Sequence, residues 1–176
     1  RVAIAFGNTS GKIGIIIALA SIIGTALMRS GGAERIIRGL LGLFKKKNTS
    51  LALLSGSFIL AIPVFFDTVF YLMIPLIKSL GIRSPKKFGL YLMTVMAGGV
   101  MAHSLVPPTP GPLFVAEEMG IDLGSMMIGG ITIGIITVIS GYAYSIWANR
   151  KWDLPMRDTP DISIDDLKQF SDKKQK

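Results

Sequence analysis

The chain has no cysteine and a single histidine. The first absence excludes disulfides and thiolate metal sites, and the second leaves no group of imidazoles to ligate a metal. Although 20 glycines are present, no glycine-rich loop runs into Lys-Ser or Lys-Thr, which excludes a phosphate-cradling loop. No nucleophile triad can be assembled, and no basic segment, short apolar run and small-residue cleavage site follow one another at the start, so no signal peptide is argued. What fills the 176 residues is apolar: 50% are hydrophobic and mean hydropathy is positive, too oily for a soluble domain of this size. An all-α integral membrane protein is expected. The net charge of +8 does not indicate nucleic acid, because the cations sit at the ends of apolar segments, as loop anchors do. Beginning at Arg1 and closing in a Lys-rich stretch, the chain reads as an internal piece of a longer polypeptide.

An acid interrupts the longest apolar run. In LALLSGSFILAIPVFFDTVFYLMIPLIKSL, Asp67 lies between Pro63 and Pro75. A carboxylate at membrane depth is costly unless paired, wetted or protonated, and by default it marks a function. Residues 51–80 are too many for one ordinary span and too few for two. Split at 63–67, they give two arms of about a dozen residues, each ~18 Å long, enough to reach the midplane and return. A re-entrant hairpin is expected. Charge agrees, since Arg29, Arg35, Arg38 and 45–47 precede the run and Lys78, Arg83, Lys86 and Lys87 follow it. Both basic ends belong on the cytoplasmic side.

The other segments fall around this one. Residues 1–28 form a Gly-rich polar start and a transmembrane helix with small residues for close packing. In 29–50, Ile36, Ile37, Leu40, Leu41 and Phe44 recur at helical spacing opposite Glu34, Arg35, Arg38 and Lys45, the pattern of an interfacial amphipathic helix. Residues 86–119 form a transmembrane helix broken at PPTPGP, where prolines 107, 108, 110 and 112 stop it before LFVAEEMG resumes. The stretch 106–124 holds Glu117, Glu118 and Asp122 but no Lys or Arg, as suits an outside loop. A clear span over 125–148 returns to Asn149, Arg150 and Lys151, with Trp147 and Trp152 as interfacial aromatics. Residues 149–176 read as a cytoplasmic linker in which Ser163 and Asp166 cap a short surface helix over 164–170.

FGNTSGKIG, SGGAERI, IPVFFDTVFYLMIP and AHSLVPPTPGP, in this order and spacing, resemble the gluconate permease family. The resemblance covers about 5–160, and FFD together with PPTPGP is its most specific part. It implies a secondary carrier that moves gluconate or a related sugar acid with protons across the inner membrane, in several passes and without a cofactor. Family members are more than twice this length and resemble the larger ion-transporter group, which is built from two inverted repeats. The chain would then be the first repeat, and its partners the substrate anion, protons, the bilayer, the missing second half and, as an open question, a second copy. One departure is Asn8, where many members carry a second glycine, so substrate choice near it is in doubt.

Half-helix ends and irregular backbone at membrane depth point partial charges at a substrate. The hairpin tip at Asp67 and Thr68 and the break holding Pro108, Thr109 and Gly111 are therefore expected to meet near the midplane. Asp67 is read either as the N-cap of the second arm or as the group that takes a proton in a wet cavity and crosses with substrate. His103 is either a hydrogen-bonded link in the bundle or, with Ser104, a binder of hydroxyls or a proton carrier. Asn8, Thr9 and Ser10 either cap a helix or supply neutral partners to a polyol. Lys12 is read as snorkelling to the interface, Glu117 and Glu118 as outer-surface groups, and the Met-rich YLMTVMAGGVM as flexible packing. Two other classes stay open. One is a sodium- or proton-coupled carrier of another small carboxylate, such as a hydroxy acid or citrate; the other is a non-transporting membrane subunit or intramembrane enzyme.

Overall fold

A computed structural model describes residues 1–44 and 48–157. The helix expected over 164–170 lies outside them. Every regular element among the described residues is helical: α1 (Val2–Arg29), α2 (Gly32–Leu43), α3 (Thr49–Leu60), α4 (Phe66–Arg83), α5 (Phe88–Leu105), α6 (Pro110–Met119) and α7 (Leu123–Lys151), with one 3-10 turn at Pro85–Lys87. Three stretches are long and apolar enough to cross a bilayer: Val2–Arg29, Pro85–Met119 and Leu123–Lys151.

The core forms around α5, which packs against α3, α7 and α4. Its Tyr91, Thr94, Val95, Gly98, Gly99 and Ala102 are all buried. Leu53 and Leu60 of α3 and Val69, Met73 and Ile77 of α4 fill the space around it, all at most 1% exposed. Lipid offers little apolar driving force between helices, so close approach at small residues must carry much of the association. Gly98 is such a device, since an added Cβ there would meet the Leu54 carbonyl and the Ser57 hydroxyl. Polar groups tie the seam as well: Ser50 and Tyr142 share a hydrogen bond of 3.0 Å. Asn149 of α7 accepts from the Leu90 N–H at 2.8 Å and donates to the Lys86 carbonyl at 3.0 Å, satisfying the open start of α5.

Two details differ from the sequence reading. α4 is longer than a dozen residues, continuing through Pro75 to Arg83 for 18 residues. α2 does more than lie on an interface: Gly31 turns the chain with φ of 70°, and Ala33 and Ile37 are then buried in the core as α2 packs on α3. Its outer face keeps the Arg38–Glu34 ion pair at 2.9 Å.

Asp122 caps α7, accepting from the Ser125 N–H at 2.8 Å. That bond first, then the Ser125 hydroxyl and the Gly124 N–H, hold its carboxyl below the usual carboxylate range. A depressed folded pKa means the cap's contribution is present above the unfolded pKa and lost as pH falls through the folded one. Asp122→Ala is therefore expected to speed amide exchange over 123–125 at neutral pH. Acidifying wild type through the folded pKa should produce the same change, and an unaltered exchange pattern in the variant would refute the cap.

Candidate functional site

Two helix interruptions create the site. α3 ends at Leu60 and α4 starts at Phe66; α5 ends at Leu105 and α6 starts at Pro110. Both join at one place. Ile62, Pro63, Val64 and Phe65 line a cavity of about 10 Å3 with Pro108, Thr109 and Ala20 of α1, about the room of one water. The second break is closed by the buried Thr109, whose hydroxyl donates to the Val106 carbonyl at 2.8 Å. Gly24 brings α1 onto the first break, since a Cβ there would lie 2.9 Å from the Pro63 carbonyl oxygen.

Asp67 is the second residue of α4, not its cap; Phe65 occupies the cap position and offers no side-chain bond. Asp67 and Thr68 are exposed, so the acid is not enclosed by the described residues. Asp67 makes no hydrogen bond or ion pair among them. The Phe65 ring meets the His103 imidazole edge-on, with centroids 5.8 Å apart. His103 Nδ1 is buried without a hydrogen-bond partner among the described residues, an arrangement that costs about 1–3 kcal/mol when nothing else satisfies it. Among the described residues it makes no hydrogen-bonded link through that atom. Ser104 is exposed beside it in the last turn of α5, and Gly111 is exposed in the first turn of α6 with open space around it.

Asn8, Thr9 and Ser10 lie elsewhere. They are interior to α1, which starts at Val2, so they cap nothing. Asn8 is about 18 Å along the helix from Ala20. Asn8 and Thr9 line a separate open hollow of about 520 Å3 with Lys12 and Glu118. Lys12 pairs there with Glu117 at 3.4 Å and Glu118 at 4.0 Å instead of snorkelling alone. Half-exposed pairs of this kind contribute little, about 0–1 kcal/mol.

A feature the sequence reading missed is an open cavity of about 300 Å3 between α1 and the α3–α4 break, walled by Ser21, Thr25 and Arg29 of α1 with Pro63, Phe65 and Thr68. The available signal was polar residues at 21, 25 and 29, spaced i, i+4, i+8 on one face of an apolar helix.

An all-helical core, three membrane-length apolar stretches and two helix breaks meeting beside an acid and an imidazole define a multi-pass integral membrane protein. Within that class the chain belongs to the GntP permease family, whose model, described as GntP family permease, matches residues 2–175. Among curated relatives it is similar to an uncharacterized permease of Haemophilus influenzae, 35% identical over 148 residues, covering 84% of this chain and 30% of the relative. A gluconate permease of Pseudomonas aeruginosa is 33% identical over 146 residues, covering 82% of this chain and 32% of the relative. An inner membrane permease of Escherichia coli is 37% identical over 148 residues, again covering 82% and 32%. The chain thus spans about a third of the length of these relatives. No solved structure matches. The relatives are permeases, which are transporters and not enzymes.

Proposed function

We propose that this chain is one repeat of a longer inner-membrane carrier that takes up gluconate or a related sugar acid with protons by alternating access. The observation that carries the reading is the junction of the two helix breaks, with Pro63–Phe65 and Pro108–Thr109 on one small cavity. Irregular backbone of this kind is tolerated at membrane depth where it is buried or lines a wet cavity, and there it presents amide dipoles to an anion. α3 and α4 are then the arms of a re-entrant hairpin, α5 and α6 the halves of a broken span, and the basic ends Arg29 to Arg38 and Arg83 to Lys87 face the cytoplasm. Similarity to relatives named gluconate permease supports the substrate. Asp67 and His103 are the proton-handling candidates, and Thr68, Ser104, Pro108, Thr109 and Gly111 border the substrate path.

The test is uptake of labelled gluconate into vesicles bearing the full-length carrier. Uphill accumulation on imposing an inward proton gradient, abolished by a protonophore, is expected. Uptake that responds to a sodium gradient alone would overturn proton coupling. Absence of gluconate uptake beside gradient-driven uptake of citrate or a hydroxy acid would move the substrate to another carboxylate.

A further inference from the structure

We infer that the open cavity between α1 and the α3–α4 break is the subsite for an anionic polyol, in which Arg29 grips the carboxylate and Ser21, Thr25 and Thr68 meet the hydroxyls. This assignment rests on the sugar-acid carrier reading and deepens it.

Its size is suitable. At about 300 Å3 the cavity stands at the lower end of small-molecule sites, which run roughly 300–1,000 Å3. Its wall is mostly apolar, with Met28, Pro63, Val64 and Phe65, and carries one cation beside three hydroxyls. Arg29 is the one cation lining either cavity at the breaks, and among the described residues it makes no ion pair. A guanidinium presents a planar fork of donors that matches a carboxylate. The neutral groups come from both walls. Ser21 already donates to the Ile17 carbonyl at 2.9 Å, so its oxygen is left to accept from a ligand hydroxyl. The Thr25 and Thr68 hydroxyls make no hydrogen bond among the described residues and can donate or accept. Phe65 and Thr68, the cap and third residue of α4, bring that helix's first turn to the wall, where the negative charge of Asp67 offsets the partial positive charge of the helix end.

The register is set by packing. Gly24 fixes which face of α1 meets Pro63 and Val64, and Ser21, Thr25 and Arg29 flank that contact on successive turns. A cation in the last turn of a helix also favours the helix dipole, and that role alone would explain an Arg at 29. The two roles separate on substitution, because a lysine keeps the charge at the helix end and loses the fork.

The experiment is equilibrium binding of radiolabelled gluconate to the purified full-length carrier, with sorbitol and hexanoate as competitors. Sorbitol has the hydroxyls without the carboxylate, and hexanoate the reverse. Arg29→Gln is expected to raise the gluconate Kd by about 10- to 100-fold and leave competition by sorbitol unchanged. Arg29→Lys should recover only part of the loss, whereas a dipole role predicts wild-type binding for it. The pair Ser21→Ala and Thr25→Val should weaken gluconate and spare hexanoate. The ligand-free melting temperature reports folding, and if Arg29→Gln does not fold, the Kd of Arg29→Lys decides. A folded Arg29→Gln protein that binds gluconate within twofold of wild type overturns the subsite and leaves the carrier reading intact. A wild-type carrier that binds no gluconate overturns the sugar-acid reading, and the subsite with it.

Discussion

Asp67→Asn in the full-length carrier is expected to abolish proton-driven accumulation of gluconate. The asparagine keeps the size and hydrogen-bonding reach of the acid and cannot exchange a proton, so it separates coupling from architecture. A one-unit pH difference is worth about 1.4 kcal/mol per proton, or about tenfold accumulation, and that whole factor should vanish. The reasons are local. Asp67 sits two residues past the cap-position Phe65, takes no capping role, and has no hydrogen-bonding or ionic partner among the described residues. In the re-entrant hairpin proposed above, an acid with that surrounding is costly unless it is wetted, paired or protonated. His103, whose ring the nearby Phe65 meets edge-on, likewise has a buried Nδ1 with no hydrogen-bond partner among the described residues. Gradient-driven uptake is the measurement, with downhill exchange of labelled against unlabelled gluconate as the control for an intact pathway. Full uphill accumulation by the variant would sink the coupling role.

Some of this site was legible before any coordinates. Prolines and a lone acid inside an apolar run announce a break, because proline removes a donor and the acid resists lipid; the chain accordingly leaves helix between Leu60 and Phe66 and between Leu105 and Pro110. Other parts were not. Asn8, Thr9 and Ser10 look like a cap by residue type, but such propensities are weak against the continuous helix that α1 maintains from Val2. Asp67 has the residue type of a cap and stands two positions too late. Arg29 reads as a loop anchor because its position after an apolar segment is that of one. Its approach to the α3–α4 break depends on which face of α1 packs there, and that is settled by the long-range contact of Gly24 with Pro63 and Val64. The burial of Ala33 is of the same kind, following from the left-handed turn at Gly31.

The largest stability effect is expected at a glycine pair with opposite surroundings. An added Cβ at Gly129 meets nothing within 4 Å, whereas one at Gly130 would collide with the Leu105 carbonyl oxygen and lie 3.0 Å from its carbon and 3.3 Å from the Val106 Cα. The obstruction is backbone, so it cannot swing away as a side-chain tip can. In an open helical position, replacing glycine by alanine gains up to about 1 kcal/mol from propensity. Gly129→Ala should therefore be neutral or slightly stabilising. Gly130→Ala gains the same propensity and must push α7 off the end of α5, an overpacking that costs about 1–3 kcal/mol. Comparing the thermal unfolding of the two variants cancels the propensity and leaves the contact. The consequence reaches the site, because Leu105 and Val106 are where α5 stops, and Val106 accepts the Thr109 hydroxyl that closes the second break. Gly130→Ala should accordingly lower both the melting temperature and gluconate binding, while Gly129→Ala alters neither appreciably. Equal melting temperatures for the two variants would show that α7 does not approach α5 this closely.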